Sequence, residues 1–342
     1  MKKQITIAEV AKKAGVSKAT VSRAINNSPR VRIKTRRLIQ GIIKALGYHP
    51  NTAARGIRTK VSKTIGIILP NITNNFFADL VRGAEDQARI SGYQIMITNT
   101  DEKSTYEYAD INNLLNQMVD GLIIISTGAI KNYKQILRKT PTIFVDRLPS
   151  KGELNKFDTL LLNNVEGSYV AVNSLIHSGA ERIGFINSSV TNINIERMRG
   201  YQKALTVNHR KLDWDIVKQS NRKANNVAKL TGQLVVNQAC DGLLAANNTI
   251  FKQVLNKIKA DQIEHLQLAT FDDNYYYQFI NRRIIVIKQP AYQMGHQAVI
   301  SLVNRINNPT LPIQHFRLKP TIKLYEQKRR FRNHSRKRRT EL

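Results

Sequence analysis

The sequence predicts two unlike parts in one chain: an N-terminal all-α helix-turn-helix domain, and an α/β core of two doubly wound parallel-sheet lobes. Three observations predict this. The first fifty residues run helix, glycine turn, helix in quick succession. From Thr64 onward, short apolar strands interleave with helices, in two successive sets. The excess positive charge is piled up at the start of the chain. A length of 342 residues leaves room for two or three domains, and 42% hydrophobic content is enough for a sizeable core.

The charge narrows the partners. The chain has 54 Lys+Arg against 24 Asp+Glu, a net +30. Residues 1–63 hold 16 Lys+Arg and a single acid, Glu9, so half of the excess (+15) sits there. Residues 323–342 add 9 against 2, and the long middle segment has 29 against 21. Such a distribution suits an anionic partner, nucleic acid or a membrane surface. The longest apolar stretches, such as Leu122 to Ile125, are far too short to span a bilayer. The lone cysteine, Cys240, forms no intrachain disulfide, and no apolar run follows Met1-Lys2-Lys3-Gln4-Ile5, so no signal peptide is expected. The expected setting is cytoplasmic.

Thr6 to Ala14 reads as a short amphipathic helix. Thr6 is a good N-cap, Glu9 completes a capping box, and Ile7, Val10, Ala11 and Ala14 form one apolar stripe. Gly15-Val16-Ser17 is a tight turn in which Gly15 takes a left-handed conformation and Ser17 caps the next helix, Lys18 to Asn26. In that helix Val21, Ala24 and Ile25 face inward, and Lys18, Ala19, Ser22 and Arg23 outward. A third helix, from about Lys34 to Leu46, is expected to bury Leu38, Ile42, Ile43 and Leu46 and to stop at Gly47. The first two helices make a helix-turn-helix. Its second helix must reach base edges: Arg23 can pair bidentately with guanine, and the short Ala19 leaves room for a thymine methyl. The hydroxyls of Ser17, Thr20 and Ser22 suit phosphates, which position the domain without specifying sequence.

The stretches "ITIAEVAKKAGVSKATVSRAINNSPRV" and "ALGYHPNTAARGIRTKVSKTIGIILP" resemble the lactose-repressor (LacI/GalR) family of bacterial transcription regulators, and the resemblance runs to about Glu326. It implies a pseudo-palindromic double-stranded DNA operator bound by a homodimer. It implies DNA contacts from Thr6, Ser17, Lys18, Ala19, Thr20, Ser22, Arg23, Asn26, Tyr48, Arg55 and Ile57. Pro50 to Arg58 would be marginal as an isolated helix, and Gly56 weakens it further. In the family this hinge folds on DNA, and Ile57 stands at the position of the residue that wedges into the minor groove. Gly56 and Ile57 depart from the commonest family pattern.

The core reads as Ile65 to Leu69 (strand), Phe77 to Arg89 (helix), Tyr93 to Ile97 (strand), Tyr106 to Val119 (helix), then strands at Gly121 to Ser126 and Thr142 to Val145. A second set follows: strand Thr159 to Leu162, helix Val165 to Ser178, strand Arg182 to Asn187, helices near 197–206 and 227–239, and strands at Gly242 to Ala246, Leu266 to Phe271 and Ile284 to Ile287. Interleaved strands and helices imply parallel βαβ units, with a ligand cleft at the carboxyl ends of the strands. The family's core is similar to periplasmic sugar-binding proteins, and its topology implies closing segments at Ala291–Leu318 and Lys319–Glu326. The expected boundaries are a DNA-binding domain at 1–49 and a hinge and linker at 50–63. The core at 64–326 comprises lobe 1 at about 64–162 and 291–318, and lobe 2 at about 163–290 and 319–326. A disordered basic tail is expected at 327–342.

The resemblance also implies an effector pocket at strand ends. Phe76 and Phe77 match an aromatic pair able to stack on a sugar or base. Thr127, Asp146, Arg147, Asn247 and Asp272 match further positions, and carboxylates and amides there suit vicinal hydroxyls. Spacing back from Gly200 places the family's pocket arginine at Ile195; Arg197 lies on the same segment with its direction open. Asn248 stands where Asp is usual and Thr270 where Gly is usual. The chain lacks the phosphate-loop, nucleophile-elbow and His-Glu-x-x-His motifs, its seven histidines are scattered, and no metal or cofactor is expected. The sequence therefore predicts a DNA-binding regulator, a repressor rather than an enzyme, controlled by a small-molecule effector, a sugar by resemblance. The alternative is a constitutive DNA-binding protein whose effector pocket has decayed.

Overall fold

Local sequence signals set the first helices. A computed structural model of the chain describes residues 5–48, 61–149, 151–188, 192–220 and 226–326. The chain divides into two compact units, residues 1–62 and 63–342. In the first unit, α1 (Ile7–Ala14) opens with the expected capping box: the Thr6 amide donates to Glu9 Oε2 at 2.7 Å, and the Thr6 side chain accepts from the Glu9 amide. Gly15 ends α1 in the left-handed region at φ 64° and turns the chain into α2 (Lys18–Ile25), whose N-cap Ser17 accepts from the Thr20 amide at 3.2 Å. Val10, Ala11, Val21, Ala24, Val31 and Ile39 close a small core with α3 (Ile33–Leu46).

One expectation fails in α3. Leu38 is 53% exposed and Ile39 is fully buried. Ile39, Ile42, Ile43 and Leu46 follow the i, i+3, i+4, i+7 stripe, which puts Leu38 about 100° away from it. Arg36 contributes something the pattern did not reveal: it donates to the Ser28 carbonyl at 2.6 Å and so ties the loop after α2 to α3.

The second unit holds two six-stranded sheets. In the first lobe the order is β11-β5-β4-β3-β1-β2, from β1 (Thr64–Leu69), β2 (Gln94–Asn99), β3 (Gly121–Ile124), β4 (Thr142–Val145), β5 (Asp158–Leu162) and β11 (His315–Leu318), all parallel. In the second it is β12-β10-β9-β8-β6-β7, from β6 (Ile183–Asn187), β7 (Val217–Gln219), β8 (Gly242–Ala245), β9 (Gln267–Phe271), β10 (Ile284–Lys288) and β12 (Thr321–Tyr325). Only β12 runs antiparallel, against β10. The closing segments thus add β11 to the first sheet and β12 to the second, and the chain crosses between lobes three times.

Helices cover both faces, which is why the central strands are continuous apolar runs. In lobe 1, Ile65, Ile67, Ile123, Ile143 and Val145 face α4 (Asn75–Ile90) and α11 (Ala291–Asn307). The alternate residues Ile68, Leu122, Ile124 and Phe144 face α5 (Ser104–Asn116) and α6 (Tyr133–Leu137). The helices α4 and α11 touch backbone to backbone: a Cβ on Gly295 would lie 1.8 Å from the Leu80 carbonyl oxygen, and one on Gly83 2.0 Å from that of Tyr292. Lobe 2 has one core shared by α7 (Asn164–His177), α8 (Asn192–Val207), α9 (Asn226–Gly232) and α10 (Asn248–Ala260). The helix expected near 227–239 is α9 followed by a π-helical turn, Gln233–Asn237. No helix among the described residues is long and apolar enough to cross a membrane.

Candidate nucleic-acid interface and ligand cleft

The helix-turn-helix presents a basic face with no opposing acid. Residues 5–48 contain ten Lys or Arg and one carboxylate, Glu9, which is held by Thr6. On α2, Lys18, Ala19, Arg23 and Asn26 are exposed, while Thr20 and Ser22 are half-buried. Ser17 is exposed, and its hydroxyl lies 2.9 Å from that of Thr20. Tyr48, in contrast, packs in the three-helix core. Arg55 and Ile57, with the whole hinge segment 50–58, lie outside the described residues, as does the basic tail from residue 327.

In the second unit the two lobes bring matching acids to matching strand ends. Asp146 follows β4 and Asp272 follows β9, the equivalent strands of the two sheets. Each takes the left-handed region, at φ 65° and 70°. Each amide donates to the neighbouring strand, Asp146 to Leu160 O at 2.9 Å and Asp272 to Ile287 O at 3.1 Å. A non-glycine residue pays roughly 1–2 kcal/mol for that conformation, though a short polar side chain tolerates it better than most. The conformation aims both carboxylates off the strand ends into the cleft.

Arg197 completes the group. The sequence spacing favoured Ile195, but Ile195 is partly exposed on the outer side of α8, and Arg197 is the buried residue. Two residues along a helix are about 200° apart, so the two side chains point in nearly opposite directions. The Arg197 guanidinium stacks over the Phe271 ring at 3.7 Å, donates through Nε to Asn164 Oδ1 at 2.9 Å, and donates to the Ala246 carbonyl. Burial pulls its pKa down to about 10, with Asp272 and Asp146 opposing the shift. Burial pushes Asp146 up to about 6; Arg147 and Arg197 oppose this, and Asp272 and Glu102 add to it.

Other matched residues are engaged elsewhere. Arg147 makes a two-pronged pair with Glu102, at 2.7 and 2.8 Å. Thr127 donates from its amide and its hydroxyl to Glu107, which also accepts from Tyr133. Asn247 caps α10, accepting from the Ile250 amide at 2.9 Å. The aromatic pair does not present two stacking faces: adjacent helical residues diverge by about 100°. Phe77 lies in the lobe 1 core, and only Phe76 reaches a cavity of 320 Å³, beside Asp79, Asp272, Lys288, Gln289 and Tyr325.

Sequence reasoning missed Gln289, Glu102, Asn164 and the interlobe bridges. Gln289 donates to Asp272 Oδ1 at 2.5 Å. Asn248 donates to Asn74 Oδ1 across the cleft at 2.9 Å, and Arg317 of lobe 1 pairs with Glu196 of lobe 2 at 2.7 Å. Two buried acceptors at the cleft, Asp146 Oδ1 and Gln289 Oε1, have no hydrogen-bond partner. Among the described residues, no group of His, Cys, Asp and Glu could hold a metal ion.

A helix-turn-helix unit followed by a two-lobed sheet core with a polar cleft defines a class: DNA-binding transcription regulators built on a binding-protein scaffold. Residues 6–51 match the model for bacterial regulatory proteins of the lacI family. Residues 62–262 match that for periplasmic binding proteins and the sugar binding domain of the LacI family. The chain belongs to the lacI family and is a DNA-binding transcription regulator. It is 32% identical to the HTH-type transcriptional regulator RegA of Clostridium saccharobutylicum over 314 residues, spanning 90% of this chain and 94% of that one. It is 29% identical to catabolite control protein A of Priestia megaterium over 313 residues, spanning 90% and 94%. The fold is that of the lac repressor dimer bound to operator and the anti-inducer ONPF, with TM-score 0.82 at 21% identity over 95% of this chain and 99% of that one. The transcriptional regulator CelR–cellobiose complex superposes with TM-score 0.71 at 23% identity, over 95% and 100%.

Proposed function

We propose that this regulator represses transcription as a homodimer on a pseudo-palindromic operator, and that a small polyhydroxylated effector bound between the lobes controls it. The observation that carries the effector reading is the pair of orphaned acceptors, Asp146 Oδ1 and Gln289 Oε1, beside Asp272 and Arg197. A buried acceptor without a partner costs roughly 1–3 kcal/mol, and an effector hydroxyl donating to it removes that cost. Carboxylates from both lobes suit vicinal hydroxyls, and the Arg197 guanidinium over Phe271 suits a ring or anomeric oxygen. The name of the CelR–cellobiose complex points to the same ligand class.

On DNA, Arg23 reads a base, and Ser17, Thr20 and Ser22 hold phosphates, with Lys18, Ala19 and Asn26 on the same face. Thr6 and Tyr48 act through the frame that sets this face, and Arg55 and Ile57 act in the minor groove. Each copy supplies one reading head, so two-fold symmetry in the protein demands it in the site. Selection of bound DNA from a random pool, with and without candidate sugars and purines, tests the proposal. A pseudo-palindromic best site whose occupancy responds to one ligand is expected. A single asymmetric half-site contradicts the dimer, and occupancy indifferent to every ligand favours a decayed pocket.

A further inference from the structure

We infer that Glu102 sets the charge of the effector: by holding Arg147 in a two-pronged pair, it makes the cleft accept an uncharged polyol and reject the phosphorylated form. This deepens the effector reading proposed above and rests on it. Phosphate recognition needs a free cation or free backbone amides. Among the described residues of the cleft, Arg147 is the buried guanidinium whose fork is closed by a carboxylate. Arg147 is paired with Glu102 and Arg317 with Glu196, while Lys323 and Lys288 share Asp273 at 3.1 and 4.0 Å and both stand about half in solvent, where water screens them. Arg197 directs Nε to Asn164 and Nη1 to the Ala246 carbonyl with its plane on Phe271, an arrangement that suits a single ring or anomeric oxygen rather than a two-pronged phosphate contact. Three helix N-termini at the strand ends carry side-chain caps, while α5 and α11 open on Lys103 and Pro290 without one. The side chains of Asn74, Asn163 and Asn247 cap α4, α7 and α10. A phosphate dianion entering among Asp146, Asp272 and Glu102 meets like charges, and the guanidinium fork beside Asp146 is already closed on Glu102.

Glu102 is placed deliberately. It and Asp101 both lie in the left-handed region, at φ 62° and 50°. Two adjacent non-glycine residues there need the surroundings to hold them. Asn99 donates to Asp101 at 2.6 Å, the Lys103 amide donates to Thr100 O at 2.9 Å, and the Arg147 fork closes on Glu102 from the other side. The pair is only 15% and 24% exposed, so water screens it little. Replacing the carboxylate by an amide of the same shape keeps the loop and releases a fixed cation beside Asp146.

The test uses the full chain and matched pairs of sugars with their phosphates: glucose and glucose 6-phosphate, fructose and fructose 1-phosphate, ribose and ribose 5-phosphate, cellobiose and cellobiose 6-phosphate, by calorimetry. In the wild type, the neutral member of the bound pair should be favoured by about tenfold or more, the effect of one lost charge-assisted contact. Glu102→Gln should shift that ratio about tenfold or more toward the phosphorylated member, while Arg147→Gln should not, since it removes the cation. A wild type that prefers the phosphorylated member overturns the inference and leaves the effector reading standing. A Glu102→Gln ratio equal to the wild type's overturns the role of Glu102. A folded wild type that binds neither member of any pair contradicts the sugar reading itself, and this inference with it.

Discussion

Asp146→Asn should stabilise the ligand-free protein at neutral pH while removing its response to the effector. Asp146 is fully buried, and its pKa is pushed from 3.8 to about 6, chiefly by burial. At ~1.36 kcal/mol per unit, ionising it in the fold costs about 3 kcal/mol more than in the unfolded chain. The sign follows from the raised value: this contribution to stability is fully present below about pH 4 and is lost as pH rises through about 6. Asparagine has the same shape, tolerates the left-handed backbone and carries no charge. Arg197 then loses one of the two carboxylates that offset its own burial, so the net gain at pH 7 is roughly 1–3 kcal/mol. Thermal melts of the two full chains from pH 4 to 8, followed by far-ultraviolet circular dichroism, provide the assay. The variant should match the wild type near pH 4 and melt higher at pH 7, by about 2–4 °C for each kcal/mol. A gap that does not change with pH, or a less stable variant at pH 7, would show that the buried Asp146 carboxylate does not cost the fold stability.

Three further outcomes follow from particular residues. Gly295→Ala should cost about 3 kcal/mol or more in urea denaturation, because a Cβ 1.8 Å from the Leu80 carbonyl forces α11 away from α4. Arg23→Ala should lose ~1–3 kcal/mol at the cognate base and relax specificity there, while Ser17→Ala should weaken all DNA sequences alike; gel-shift titrations on cognate and scrambled DNA separate the two. Asp272→Ala should abolish effector binding in calorimetry and leave ligand-free operator affinity within about threefold of the wild type, since Asp272 lies in the core and not on the reading head.

The three-helix unit was legible because its signals are local. Thr6 with Glu9, Gly15 and Ser17 each fix a cap or a turn within four residues, and the structure has all of them. The α/β core was legible for the same reason: buried parallel strands are short apolar runs whatever packs on them. β7 and α6 were not read, since three residues of strand and one turn of helix carry little periodic signal; α10 was not read either, although Ile250, Phe251, Val254 and Ile258 make a helical stripe behind the cap Asn247. At the cleft, Asp146 and Asp272 were named through the family resemblance, and each follows a clear strand. Their partners were not. Glu102 meets Arg147 across 45 residues, and Asn74 meets Asn248 across 174. Only the folded lobes bring such pairs together. Spacing pointed to Ile195 and left the direction of Arg197 open; the folded helix shows that Arg197 is the one buried.

The proposed regulator couples a cleft to a DNA-reading head within one chain. The most direct measurement of that coupling is the effector's affinity for the full chain, taken free and saturated with its selected operator, together with the operator's affinity with and without effector. Coupling through a shared conformational equilibrium is reciprocal, so both ratios should equal one factor, about 5–150-fold. Two ratios of one would contradict that coupling, leaving a DNA-binding domain and a ligand-binding core that share a chain without communicating.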